Sequence, residues 1–299
     1  MHSRKSLDSF AISLMIILCI CWGLQQVAVK LAAPAIHSTV QLGLRSGLAA
    51  ILVLLLILVR KTPFTLRDKH LLPGLLAGVL FALEFLAISA ALNYTSASHV
   101  SVFLYTAPIF TVLGLHVLIP AERLQRSQWT GILSAFVGVA LAFSGAFAAN
   151  QHDMADMLIG DALAVLAAIL WAATTITIRK SNLSEAAPAT TLFYQLAVAA
   201  IILLAIAAGR GEPLLTDWTP VAWISMLFQT VVVAFASYLA WFWLMRRYLA
   251  SRLSVFSFLT PLFGVAAGVI LMHDPISLRF ALGAMLVLAG IVLVNFRKA

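Results

Sequence analysis

Only one of the chain's 11 acidic residues, Glu84, falls well inside an apolar run. A carboxylate at that depth is costly in lipid, so it faces a water-filled cavity or the interior of a helix bundle. It is either a proton site or a contact for a substrate amine, or it is held neutral by burial and hydrogen-bonded to a neighbouring helix. Trp22 precedes Gln25 and Gln26, and Trp171 precedes Thr174 and Thr175. Spacings of three and four put a ring and small polar groups on one helix face. An amphipathic ligand needs that mixture, with rings for its apolar part and a few donors and acceptors to orient it. Both tryptophans lie about two turns from the nearest basic residue, which favours a cavity over an interfacial belt. Tyr238 and Trp241, three apart, can stack on an aromatic or cationic ligand. Trp243, close to Arg246 and Arg247, reads as a belt residue. Tyr105 shares a stripe with Ser98, Ser101 and Pro108. His99 can titrate near neutral pH and take part in coupling, or serve as a solvated or capping group. Arg45 reads as bound to helix-end carbonyls or to a neighbouring acid, a substrate carboxylate being its other possible partner. Pro108 and Pro261 each remove a backbone bond in mid-run. The result is a hinge, a kink toward a cavity, or a bend made for packing.

The elements that must position these residues follow from composition. The chain has 299 residues, 63% hydrophobic and 10% charged, with a mean hydropathy of +1.04. A soluble domain is about 45–50% apolar and about 25% charged. Lipid is therefore the solvent for most of this chain, and soluble enzymes, disordered chains and nucleic-acid-binding modules are excluded. Ten apolar runs of spanning length are expected at 9–30, 36–59, 71–92, 97–119, 128–147, 158–178, 189–208, 218–244, 251–272 and 278–296. The first run is read as a retained helix, because Cys21-Trp22-Gly23 is no cleavage site. The loops are short, so function resides within the membrane. Cys19 and Cys21, two apart, point to different sides of a helix and cannot pair with each other. Glycine spacings such as Gly43/Gly47, Gly74/Gly78, Gly264/Gly268 and Gly131/Gly138/Gly145 read as helix packing. No glycine-rich loop with a lysine precedes a helix, which argues against a nucleotide-driven pump. No metal or other cofactor is expected.

The net charge is +8 and lies in short loops. With the N-terminus in the cytoplasm, only Lys30, Arg45, Arg210 and Arg279 of the 19 basic residues fall on the outer side. That asymmetry puts both termini in the cytoplasm and supports an even number of spans.

The two halves of the chain repeat. Ala97, Ser98, Ser101, Val102, Phe103, Pro108 and Phe110 coincide with Ala250, Ser251, Ser254, Val255, Phe256, Pro261 and Phe263 at an offset of 153. Gly131, Gly138 and Leu141 fall on Gly283, Gly290 and Leu293 at an offset of 152. Trp22 with Lys30 matches Trp171 with Arg179. The halves 1–150 and 151–299 then hold five spans each. Five is odd, so the second half enters the membrane from the opposite side, as an inverted-topology repeat. Such repeats often place a substrate site near the midplane, between halves that expose it in turn.

At these residues the chain resembles the EamA-like branch of the drug/metabolite transporter superfamily. The likeness rests on Trp22-Gly23 with Lys30, on Arg45, and on Pro108 followed by Glu122-Arg123-Leu124 and Gly131. In the second half Asp274 takes the place of Glu122 and the acid–basic pair is lost. The resemblance implies an all-α integral membrane protein of ten helices, acting as a secondary transporter and often as an exporter of amino acids or other metabolites. Within the family the chain looks most like the YddG-type aromatic-amino-acid exporters. The leading expectation is export of small amphipathic metabolites, aromatic amino acids favoured, across a bacterial inner membrane. The partners would be a small-molecule substrate and the bilayer, without nucleic acid, and the chain would act as a monomer. A multidrug exporter of the same family is the nearest alternative. An intramembrane enzyme would need clustered histidines or carboxylates at one interface, and a non-transporting subunit would need no polar cavity.

Overall fold

The structure is a computed structural model describing residues 7–62, 69–95, 97–147, 154–214, 218–272 and 278–295. Among these residues every regular element is a helix. In hydrocarbon a segment must satisfy its own backbone, and a helix does so without a partner strand. The elements are α1 (Ser9–Ala32), α2 (Ser38–Val59), α3 (Leu71–Ala91), α4 (Ala97–Leu104), α5 (Ala107–Leu118), α6 (Arg126–Phe147), α7 (Met154–Lys180), α8 (Pro188–Gly209), α9 (Pro220–Leu227), α10 (Tyr238–Arg247), α11 (Ala250–Val255), α12 (Leu259–Met272) and α13 (Leu278–Asn295). Among the described residues, 8 helical stretches are long and apolar enough to cross a membrane, and Val102–Leu118 is a shorter apolar one. Large apolar side chains stand exposed along them, such as Leu55 and Leu58 on α2 and Ile201 on α8. Apolar surface of this extent suits contact with lipid.

Three of the expected runs are not single regular helices. Run 97–119 breaks between α4 and α5 at Tyr105 and Thr106. Pro108 has no N–H to give Leu104, and its ring crowds that carbonyl, so the chain restarts with proline in the first turn. Run 251–272 divides likewise into α11, a 3-10 turn at Phe256–Phe258, and α12 with Pro261 in its first turn. The run expected to end at 244 continues to Arg247, and Phe228–Ser237 within it is wound as a π-helix between α9 and α10. That wider winding is rare and is frequently found at functional sites.

The chain forms two compact units. The first comprises Met1–Gly23, Ala87–Ala172 and Tyr248–Ala299, and the second comprises Leu24–Leu86 and Ala173–Arg247. Each draws on both halves of the sequence. In the first unit α6 and α13 pack antiparallel through glycine. A Cβ on Gly131 would lie 2.7 Å from the Gly290 carbonyl oxygen, and one on Gly138 would lie 2.6 Å from that of Gly283. The repeat pairs Gly131 with Gly283 and Gly138 with Gly290, so the contacts are reciprocal, as across a twofold axis.

In the second unit α2 packs antiparallel on α8, with Gly43 against Leu204 and Gly47 against Ala200. The bounds of these two helices coincide at an offset of 150. Each has 22 residues. His37 before α2 (φ −55, ψ 140) and Ala187 before α8 (φ −59, ψ 138) share one backbone conformation. Both helices end on a left-handed residue, Lys61 at φ 49 and Gly211 at φ 70. There Thr62 N–H donates to the Ile57 carbonyl, as Glu212 N–H does to that of Ala207. This is the Schellman closure. Residues 51–60 and 201–210 also carry the same burial pattern.

Candidate functional site

The second unit buries a basic and an acidic side chain close to one another. Arg45 lies seven residues into α2, about 10 Å from its start at 1.5 Å per residue. Its side chain is 0% exposed, and beyond the Tyr238 hydroxyl Nε, Nη1 and Nη2 have no hydrogen-bond partner among the described residues. Its Cζ lies 5.0 Å from the centre of the Phe85 ring, within range of a cation–π contact. Glu84, 6% exposed, stands beside Phe85 on α3, and its carboxylate and the Arg45 guanidinium act on each other through space. The Tyr238 hydroxyl approaches the Arg45 guanidinium at hydrogen-bonding range and lies within electrostatic reach of Glu84. Phe81 meets Phe85 edge-on at 4.8 Å and Tyr238 edge-on at 6.0 Å. α3 is held in place by α8, where Gly74 and Gly78 admit Tyr194 and Val198.

One turn from Arg45, Gln41 is fully buried. It donates to the carbonyls of Ile36 (2.8 Å) and Val29 (3.2 Å) and accepts from Gln229 Nε2 at 3.0 Å. Gln229 belongs to the π-helical stretch and is 0% exposed. The amide pair ties that winding to α2 in water-poor surroundings, where a hydrogen bond is electrostatically stronger than in water.

In the first unit Tyr105 and Trp171 meet at 6.0 Å with a 72° interplanar angle. Trp171 packs on a cluster of Ala87, Leu104 and Ala167. Tyr105 is thus held at the break between α4 and α5. Glu122, 1% exposed, has a structural part. It accepts from the backbone N–H groups of Ala250 (3.1 Å) and Ser251 (3.0 Å) and from Ser251 Oγ (2.7 Å), closing the start of α11. Asp8 accepts from Ala11 N–H at the start of α1 and from the Tyr248 hydroxyl at 2.8 Å.

Of the residues singled out in the sequence, Glu84 comes together with Tyr238, and Tyr105 with Trp171. Gln25 and Thr175 are buried, and Trp22 and Trp241 are half-buried. The side chains of Gln26 and His99 lie outside the described residues. Pro108 and Pro261 are both buried. Among the described residues Arg45 bonds no helix-end carbonyl, and Glu84 is the acid that stands near it. Cys19 is a free thiol donating to the Phe256 carbonyl at 3.2 Å. Among the described residues no group of three or more His, Cys, Asp or Glu could hold a metal ion.

The sequence model of the EamA-like transporter family matches residues 9–144 and again 158–296. The chain belongs to the EamA-like transporter family. It is accordingly a multi-pass membrane transporter rather than an enzyme. It is 25% identical over 299 residues to a probable amino-acid metabolite efflux pump of Escherichia coli K12, covering 96% of each chain. It is 26% identical to one so named in Salmonella typhimurium LT2, covering 97% of this chain and 94% of that one. An uncharacterized transporter of Archaeoglobus fulgidus is 30% identical, with 91% of this chain and 94% of that one covered. A solved crystal structure shares the fold with a TM-score of 0.83 over 97% of this chain and 98% of that one, at 18% identity.

Proposed function

We propose that this EamA-family chain exports amino acids, aromatic ones favoured, across a bacterial inner membrane by alternating access. The observation that carries the reading is the buried Arg45 and Glu84 among the rings of Phe81, Phe85 and Tyr238. A zwitterion with an apolar side chain calls for two opposite charges and an aromatic wall, and rings beside convergent polar groups supply that mixture. The efflux-pump names of the Escherichia and Salmonella relatives support the same substrate class.

In this reading the chain is two inverted five-helix repeats, 1–150 and 151–299, with both termini in the cytoplasm, working as a monomer. The double family match, the reciprocal glycine contacts of α6 and α13, and the shared caps of α2 and α8 support it. Trp22, Gln25, Tyr105, Trp171, Thr175 and Trp241 serve as further substrate-facing groups, and the chain breaks at Pro108 and Pro261 act as hinges. Glu84 takes either the substrate amine or a proton.

Purified protein in proteoliposomes, given labelled amino acids, tests this. Counterflow of aromatic amino acids is the expected result. No flux across the full amino-acid panel would defeat the reading, and flux of organic cations alone would move it to drug export.

A further inference from the structure

We propose that Arg45 binds the carboxylate of the transported substrate, so that a free carboxylate is a condition of transport. This rests on the amino-acid reading above and names the group that would enforce it.

An ionised side chain taken wholly out of water is expensive unless its donors are used. Arg45 is 0% exposed, the Tyr238 hydroxyl approaches its guanidinium, and beyond that hydroxyl none of the three guanidinium nitrogens has a hydrogen-bond partner among the described residues. The Phe85 face 5.0 Å away offsets part of the charge and accepts no planar N–H fork. Glu84 acts on it through space without bonding to it. One hydroxyl leaves most of the five guanidinium N–H donors unspent, and the geometry of the planar fork matches a carboxylate in bidentate fashion. Gln41, one turn away, cannot take that part. Its amide donates to two carbonyls and its oxygen is held by Gln229. Phe81, Phe85 and Tyr238 lie around Arg45 and Glu84 and suit an apolar side chain on the same ligand.

The test compares ligands matched in ring and differing in charge: phenylalanine, phenethylamine, phenylalanine methyl ester and phenylacetate. Wild-type protein is expected to carry phenylalanine at least about 100-fold more efficiently than the amine or the ester, since a site built to hydrogen-bond one group rejects analogues lacking it. Folded Arg45→Gln should lose that preference, and Arg45→Lys should recover part of it. An amine or ester carried as well as phenylalanine by the wild type, or a preference intact in Arg45→Gln, overturns the assignment while leaving export standing. Should Arg45→Gln not fold, the wild-type comparison and Arg45→Lys decide alone. Thermal stabilisation of the wild type by phenylacetate is read separately from flux. Stabilisation by phenylacetate and not by phenethylamine, even without amino-acid flux, upholds Arg45 and defeats only the export reading. Stabilisation by phenethylamine instead defeats the Arg45 assignment.

Discussion

Glu84 and Arg45 are an acid and a base on neighbouring helices, and the division of labour between them is open to experiment. If Glu84 carries the coupled proton, Glu84→Gln should flatten the pH profile of flux in proteoliposomes while substrate counterflow continues. An unchanged profile would reduce Glu84 to a counter-ion for Arg45. The aromatic pair of Tyr105 and Trp171 makes a second prediction. Trp171→Ala should cut flux several-fold at unchanged membrane insertion, scored by flux per inserted molecule. Normal flux would remove the ring from the substrate path. Glu84 was legible in the sequence because an acid in an apolar run has few bland explanations. Tyr238 was legible from its spacing to Trp241. Their meeting with Arg45 was not, because the sequence does not say which helices become neighbours. Arg45 also lay close enough to a predicted helix end to read as an end group. Glu122 was read only as part of the family likeness, and its capping role was hidden for a related reason. An acid in a short loop looks solvated, and the N–H groups it caps lie 129 residues away in the case of Ser251.

Helix ends are where short side chains hold long elements. The three bonds accepted by Glu122 satisfy donors at the start of α11 that have no intrahelical partner. Hydrogen bonds to a charged group contribute about 1.5–3 kcal/mol each at best. Glu122→Ala should therefore lower the melting temperature in detergent, and Glu122→Gln, which keeps an acceptor, should lower it less. Lys61 offers the opposite sign. It holds the left-handed position that Gly211 fills in α8, at a cost of roughly 1 kcal/mol for a residue with a Cβ. Lys61→Gly should stabilise by about that amount, read as a higher melting temperature, and a drop would mean that the Lys61 side chain has a partner of its own. The helices themselves were legible from hydropathy, and all ten expected runs fall on helical segments. The breaks were half legible. Pro108 and Pro261 announced a disturbance, yet the 3-10 turn before Pro261 and the π winding at Phe228–Ser237 have no proline within them to announce them.

At the scale of the molecule, the offset of 150 that joins α2 to α8 gives a sharp way to test inversion. Arg60 and Arg210 are equivalent positions. Each is the exposed cap residue closing its helix, with its N–H bonded four residues back. A repeat of parallel topology would leave both on one side of the membrane. Five spans to each half would leave them on opposite sides, with Arg60 facing the cytoplasm and Arg210 facing out, in keeping with the basic residues gathered on the inner side. The measurement uses Arg60→Cys and Arg210→Cys in turn, each in a background with Cys19 and Cys21 replaced by serine. A membrane-impermeant maleimide added to intact cells should label position 210 and leave position 60 unlabelled until the membrane is opened. Because the local geometry of the two sites is the same, a difference in labelling reports the side of the membrane and not the accessibility of a cap. Labelling of both from outside would break the inverted reading, and with it the premise that α6 and α13 meet across a twofold axis relating one half of the chain to the other.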